Sequence, residues 1–324
     1  MEYIREVETG KIAYADFEKG RLEYLIVHDY GQENNIKADF LGLTKEIEGV
    51  DHTTMMPLQE KMVVTISTQY GCSMNCKFCD VPNVGRGINA TYNDLKSQII
   101  KAINLYPEVG ATKRFNLHFA RMGEPTFNFN VLKVSFDLLK IIRPFIGRSL
   151  THPVVSTMLP KNNKRLMEFL NIWTIDLKNE VFRGNAGLQF SINSTDDTQR
   201  KYLFSGSALS IEEVSKVGKN LIDPVGRKYA LNFALSDESI IDPIKIKKLF
   251  SPNKFMIKIT PLHNTSSCDE NNLKTTGGYN SYTPYTDIEE KLKNEGFDVL
   301  VFIPSLEEEF GKITCGNAIL SEEV

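Results

Sequence analysis

Cys72-Ser73-Met74-Asn75-Cys76-Lys77-Phe78-Cys79 sets three thiols on one short stretch in a C-x3-C-x2-C pattern. Thiolates are soft ligands that select iron–sulfur clusters or zinc. Cys72, Cys76 and Cys79 curled around a [4Fe-4S] cluster would leave its fourth iron open to a substrate or cofactor. Zinc would need a further local donor, and no His or other Cys follows closely. Three ordinary buried cysteines fit this spacing poorly. A second constellation is Arg121-Met122-Gly123-Glu124-Pro125. Glycine lets backbone approach a ligand closely, and a carboxylate pairs with a ligand ammonium. By itself Gly-Glu-Pro is also an ordinary turn at a strand end.

The elements around these residues alternate. Apolar, β-branched runs at Met62–Thr68, Arg114–Ala120, Thr151–Thr157, Leu188–Asn193, Tyr229–Leu235, Phe255–Pro261 and Phe297–Ile303 predict strands. Helical patterns fall between most of them, at Tyr92–Leu105, Val131–Ile142, Asn163–Leu170, Ile211–Leu221, Pro243–Phe250 and Asp287–Glu295. Thr91 or Asn93 is placed to cap the first of these. Repeated strand–helix units imply parallel strands with right-handed crossovers, and therefore an α/β fold of the complete or partial TIM-barrel type. Its active site sits at the C-terminal strand ends. Residues 1–60 read as a small β-rich N-terminal extension, with strands at Ile12–Phe17 and Leu22–Val27 around a Lys19-Gly20-Arg21 turn. Residues 61–324 read as the barrel with its C-terminal active-site segment.

Composition narrows the class. The chain has 324 residues, 41% hydrophobic and 24% charged, which excludes a disordered chain and permits a large core. No run approaches the ~20 apolar residues of a membrane helix, and no signal-peptide segment opens the chain. A cytoplasmic protein without a membrane partner is expected. Net charge is −3, so nothing global announces nucleic acid. Five cysteines, three of them within one short loop, suit metal or thiol chemistry better than a disulfide scaffold.

With Phe78 before the third cysteine, the loop resembles the C-x3-C-x-aromatic-C signature of the radical S-adenosylmethionine superfamily. The resemblance implies a partial (β/α)6 barrel and a [4Fe-4S] cluster. It also implies S-adenosylmethionine on the open iron, cleaved by an electron to methionine and a 5′-deoxyadenosyl radical. Glu124, with Gly123, then takes the family's place beside the cofactor amino group. Gln69-Tyr70-Gly71-Cys72, Met122–Pro125, Val155-Ser156-Thr157, Phe190–Ser194 with Asp196, Asp197 and Arg200, Ile259–Asn264, and Thr314-Cys315-Gly316 further resemble the RlmN/Cfr branch. These enzymes methylate an adenine carbon in RNA. The branch implies that Cys315 receives a methyl group and passes its carbon to the substrate. Ser156, Ser191 and Asn193 become cofactor contacts, Asn193 standing where the family has histidine, and either His263 or Asn264 supplies one further polar contact. The implied partners are S-adenosylmethionine, RNA, and an electron donor such as flavodoxin or ferredoxin.

Two departures shape the expectation. The family's second catalytic cysteine maps to Thr65, whose hydroxyl cannot readily act as a thiolate does. Cys268 is the remaining thiol, and its plain reading is a solvent-facing loop cysteine. The family's basic stretch before the carrier is here Ser305-Leu306-Glu307-Glu308-Glu309-Phe310, and phosphate recognition needs positive charge. An alternative is therefore a radical enzyme acting on a small metabolite, nucleotide or peptide. Another is a non-catalytic zinc-binding module.

Overall fold

The computed structural model describes residues 2–7, 9–28, 57–276, 283–304, 311–313 and 318–320. Among these, ten strands form one open sheet. Three come first: β1 (Glu2–Val7), β2 (Gly10–Phe17) and β3 (Gly20–His28), an antiparallel meander whose β3 pairs with β4 (Lys61–Ile66). From β4 onward every neighbour is parallel: β7 (Arg114–Phe119), β8 (Leu150–Thr157), β9 (Gly187–Ser191), β10 (Tyr229–Leu235), β11 (Phe255–Pro261) and β12 (Val299–Val301). Among the described residues the sheet does not close, so the architecture is a partial barrel. A two-stranded ribbon, β5 (Gln69–Gly71) with β6 (Arg86–Asn89), frames the cysteine loop.

The crossovers are α1 (Tyr92–Ile103), α2 (Asn130–Ile146), α3 (Leu166–Asn171), α4 (Asp197–Leu203), α5 (Ile211–Asn220), α6 (Pro243–Leu249), α7 (Ser266–Glu270) and α8 (Thr283–Asn294). Thr91 caps α1: its hydroxyl accepts from Asp94 N–H, and the Asp94 carboxylate accepts from Thr91 N–H. Asn93 has no such part. A π-helical stretch, Ile172–Val181, continues α3 past Leu170, where the predicted helix Asn163–Leu170 ends. Trp173 and Lys178 are buried there, and Lys178 donates to the carbonyls of Gly184 and Val225 at 2.8 and 2.7 Å. No described helix is long and apolar enough to cross a membrane.

Strand side chains alternate between faces. Phe115, Leu117, Phe119, Val155, Leu188, Phe190, Leu231, Phe233, Ile257 and Ile259 share the convex face, buried in the main core. The opposite face follows from the register: Thr65 pairs with His118, Ser156 with Gln189, Ser191 with Asn232, and Asn232 with Lys258. That concave face is polar. It leads up to the C-terminal strand ends.

Candidate functional site

The cysteine loop leaves β5 and turns over those strand ends. Asn75 takes a left-handed backbone, φ 52°. Gly87 lies so close that a Cβ there would stand 2.8 Å from Ser73 N, so only glycine fits beside the loop. Two other elements hold it. From the α4 side, Lys77 N–H donates to Leu203 O at 2.9 Å and the Ser205 hydroxyl to Asn75 O. From the α7 side, Thr265 Oγ1 donates to Phe78 O at 3.0 Å, and Asp80 accepts from the Ser267 N–H and hydroxyl at 2.8 and 2.7 Å.

Cys72, Cys76 and Cys79 are all half-buried on this loop. As thiols, Cys72 is pushed up to about 11 and Cys76 higher still, first by burial. The N–H groups of Met74 and Gly123 reach the Cys72 sulfur and favour its thiolate. Cationic iron would supply the charge that burial withholds. Among the described residues no three His, Cys, Asp or Glu side chains converge on one ion; a cubane instead spreads its thiolates over separate corners. Three soft donors with N–H support fit that group.

Glu124 comes to the same place from β7. Gly123, at φ 93°, makes the tight turn; a Cβ there would meet Gln69 Cβ at 2.5 Å. Gln69 ties the loops together. Its Oε1 accepts from Glu124 N–H at 2.8 Å, and its Nε2 donates to Gly87 O and Asn89 Oδ1 at 3.0 and 2.8 Å. The Glu124 carboxylate is buried. It accepts from Thr126 N–H and hydroxyl at 3.1 and 2.7 Å and from Met158 N–H at 3.0 Å. Burial pushes its pKa up, and these donors oppose the shift. They also set its rotamer, so a ligand ammonium would take the place of a hydroxyl donor.

The remaining candidates separate. Ser156 and Ser191 are half-buried on the concave face of β8 and β9. Asn193 is buried with φ 58°, and its Oδ1 accepts from Ala234 N–H at 3.0 Å; its oxygen is thus engaged in joining β9 to β10. His263 is half-buried and Asn264 exposed just past β11. Cys268 is not solvent-facing: it is 1% exposed, its thiol donating to His263 O at 3.2 Å. Its loop packs on the cysteine loop through the α7 contacts above, which the run Thr265–Asp269 does not reveal. Cys315 and the segment Ser305–Phe310 lie outside the described residues.

Sequence reasoning missed how Arg200 acts and missed His118 and Lys258 altogether. The buried Arg200 guanidinium donates to the carbonyls of Ser191, Ile192 and Leu209 at 2.8, 2.6 and 2.8 Å and knits the strand ends beneath the loop. His118 and Lys258 fall at positions that only inter-strand register assigns to the concave face.

No protein-family model matches the chain. The ribosomal RNA large subunit methyltransferase N of Nitrosopumilus maritimus is 26% identical over 211 residues, covering 64% of this chain and 56% of that protein. The dual-specificity RNA methyltransferase RlmN of an Anaeromyxobacter species is 34% identical over 204 residues, 60% of this chain and 50% of that protein. The chain thus spans about half the length of the curated relatives it matches. A radical SAM methyltransferase from Sphaerobacter thermophilus has a crystal structure similar at TM-score 0.62. It covers 94% of this chain and 76% of that one at 17% identity, a likeness of fold.

Proposed function

We propose, for a chain of the radical S-adenosylmethionine, RlmN-like branch, that it transfers a methyl-derived carbon through Cys315 to an sp2 carbon of adenine in RNA. The observation that carries this reading is the contact between two loops. The one with Cys72, Cys76 and Cys79 and the one with Gly123 and Glu124 meet at the same strand ends, tied by Gln69, whose Oε1 accepts from Glu124 N–H at 2.8 Å and whose Nε2 donates to Gly87 O at 3.0 Å. When bound, the cluster and S-adenosylmethionine would supply an adenosyl radical and a methyl group. Cys72, Cys76 and Cys79 hold the cluster. Glu124 receives the cofactor ammonium, and Ser156, Ser191, Asn193 and the His263–Asn264 turn border the remainder. Cys315 would be the carrier: its thiol, having lost its proton to solvent, would bond the methyl carbon as that carbon's bond to the cofactor sulfur breaks. The electron for the cluster would come from a donor such as flavodoxin or ferredoxin.

Anaerobic reconstitution followed by product analysis with RNA, DNA and free nucleotides tests the reading. Methylated adenine in RNA and a methyl group on Cys315 are expected. Replacement of Cys72, Cys76 or Cys79 by Ala should abolish cofactor cleavage; Cys315→Ala should stop methyl transfer while cleavage continues. Bound zinc without sulfide would defeat radical chemistry. Turnover of a free nucleotide or peptide, with RNA untouched, would move the substrate to a small molecule.

A further inference from the structure

One ion pair ties the turn that leads into Gly123 and Glu124 to β3, and the function above does not use it. Glu23 on β3 and Arg121 in the turn after β7 pair with side chains 0% and 3% exposed. The remaining polar atoms of both turn to one stretch of chain. Arg121 Nη1 donates to the Ile313 carbonyl at 3.1 Å and Nη2 to that of Lys312. Glu23 Oε2 accepts from Ala318 N–H at 2.7 Å, and Ile319 N–H also reaches this carboxylate. Lys312 itself sits at φ 60°, a backbone state that L residues keep only where neighbours impose it. A buried charged pair is tolerated when its leftover donors and acceptors are satisfied, and its best-attested use is to fix register. Here the register fixed is that of the C-terminal segment against the sheet.

The held residues flank Cys315 in sequence: Lys312 and Ile313 precede it, Ala318 and Ile319 follow. Arg121 stands two residues before Gly123 and three before Glu124. Its own backbone is pinned, Arg121 N–H donating to Ile66 O at 3.2 Å and Met122 O accepting from Thr68 N–H at 2.8 Å. We infer that the Glu23–Arg121 pair is a positioning device that anchors both flanks of the Cys315 segment to the loop carrying Glu124. This rests on the carrier reading of Cys315. A carrier sulfur must meet a methyl donor and then a substrate carbon, and errors of about 1 Å in such placements cost roughly a hundred-fold in rate.

The test uses the full chain. Hydrogen–deuterium exchange reads the anchoring before any cofactor is added. In Arg121→Gln, and in the double variant Glu23→Leu with Arg121→Met, peptides covering 311–320 should exchange roughly ten-fold faster while those of β10 and β11 stay unchanged. The double variant leaves no lone buried charge, so it keeps the question open should Arg121→Gln fail to fold. After reconstitution, the rate at which Cys315 gains its methyl group should drop at least about ten-fold in both. Arg121→Lys keeps the charge but concentrates its donors on one nitrogen; it should recover the melting temperature and leave Cys315 methylation slow. Wild-type exchange at 311–320, or wild-type methylation in the double variant or in Arg121→Lys, overturns the positioning role. A wild type that never methylates Cys315 overturns the carrier reading, and the positioning role with it; the exchange comparison still reports whether the anchor exists.

Discussion

Phe233 and Asn232 are neighbours on β10 and belong to different worlds. Phe233 faces the helices and is fully buried in the main core. Asn232 faces the concave side, half-buried, with its Oδ1 buried and without a hydrogen-bond partner among the described residues. The same contrast repeats along β7, where Leu117 and His118 diverge. The convex face is apolar because stability comes from burying it; the concave face carries the polar side chains His118, His152, Ser156, Gln189, Ser191, Asn232 and Lys258 beneath the C-terminal strand ends. Polar groups on that face are tolerated at a cost that the other face offsets.

This division predicts opposite sensitivities. The largest effect belongs to the convex side: Phe233→Ala should lose about 3–5 kcal/mol of stability, seen in denaturant or thermal unfolding. A loss below about 1 kcal/mol would mean that the convex side is loosely packed.

The concave side should instead show itself through pH. Burial first, then Lys258, Arg227 and Lys61, push His118 down to about 3; burial, Arg114 and Arg227 do the same to His152. Between the ordinary histidine value near 6.5 and about 3, the unfolded chain therefore binds more protons than the folded one. Stability present above pH 6.5 is lost as pH falls through that window. The double variant His118→Asn with His152→Asn should flatten the acid limb of melting temperature against pH, and an unchanged slope would reject it.

Smaller effects follow. Thr91→Ala removes the capping box of α1, which packs on β3 and β4, and should cost about 1 kcal/mol in thermal unfolding. Asn232→Ala removes a buried oxygen that has no partner among the described residues and should change stability by less than about 1 kcal/mol. A loss comparable to that of Phe233→Ala would abolish the contrast between the faces.

Much of this was legible in the residues. The strands Tyr229–Leu235 and Phe255–Pro261 match their predicted bounds, because central parallel strands write near-continuous apolar runs. The cap at Thr91 follows from a local exchange of bonds over three residues. The fold around the cysteine loop and Gly123-Glu124 was legible because strand–helix alternation brings successive strand ends to one rim. Other features were not. The π-helical stretch Ile172–Val181 has no period of its own to read. Cys268 looked exposed within a run of Ser, Thr and Asp, yet Asp80 draws those very hydroxyls and N–H groups onto the cysteine loop.

The amino-acid order determined which residues can do chemistry and, through local periodicity, which segments become strands and helices. Only the tertiary structure decided which of them meet. Glu23 joins Arg121 across 98 positions, and Arg121 reaches Ile313 across 192. No periodicity encodes such a match, because a buried guanidinium selects its partners by geometry and desolvation after the sheet has formed.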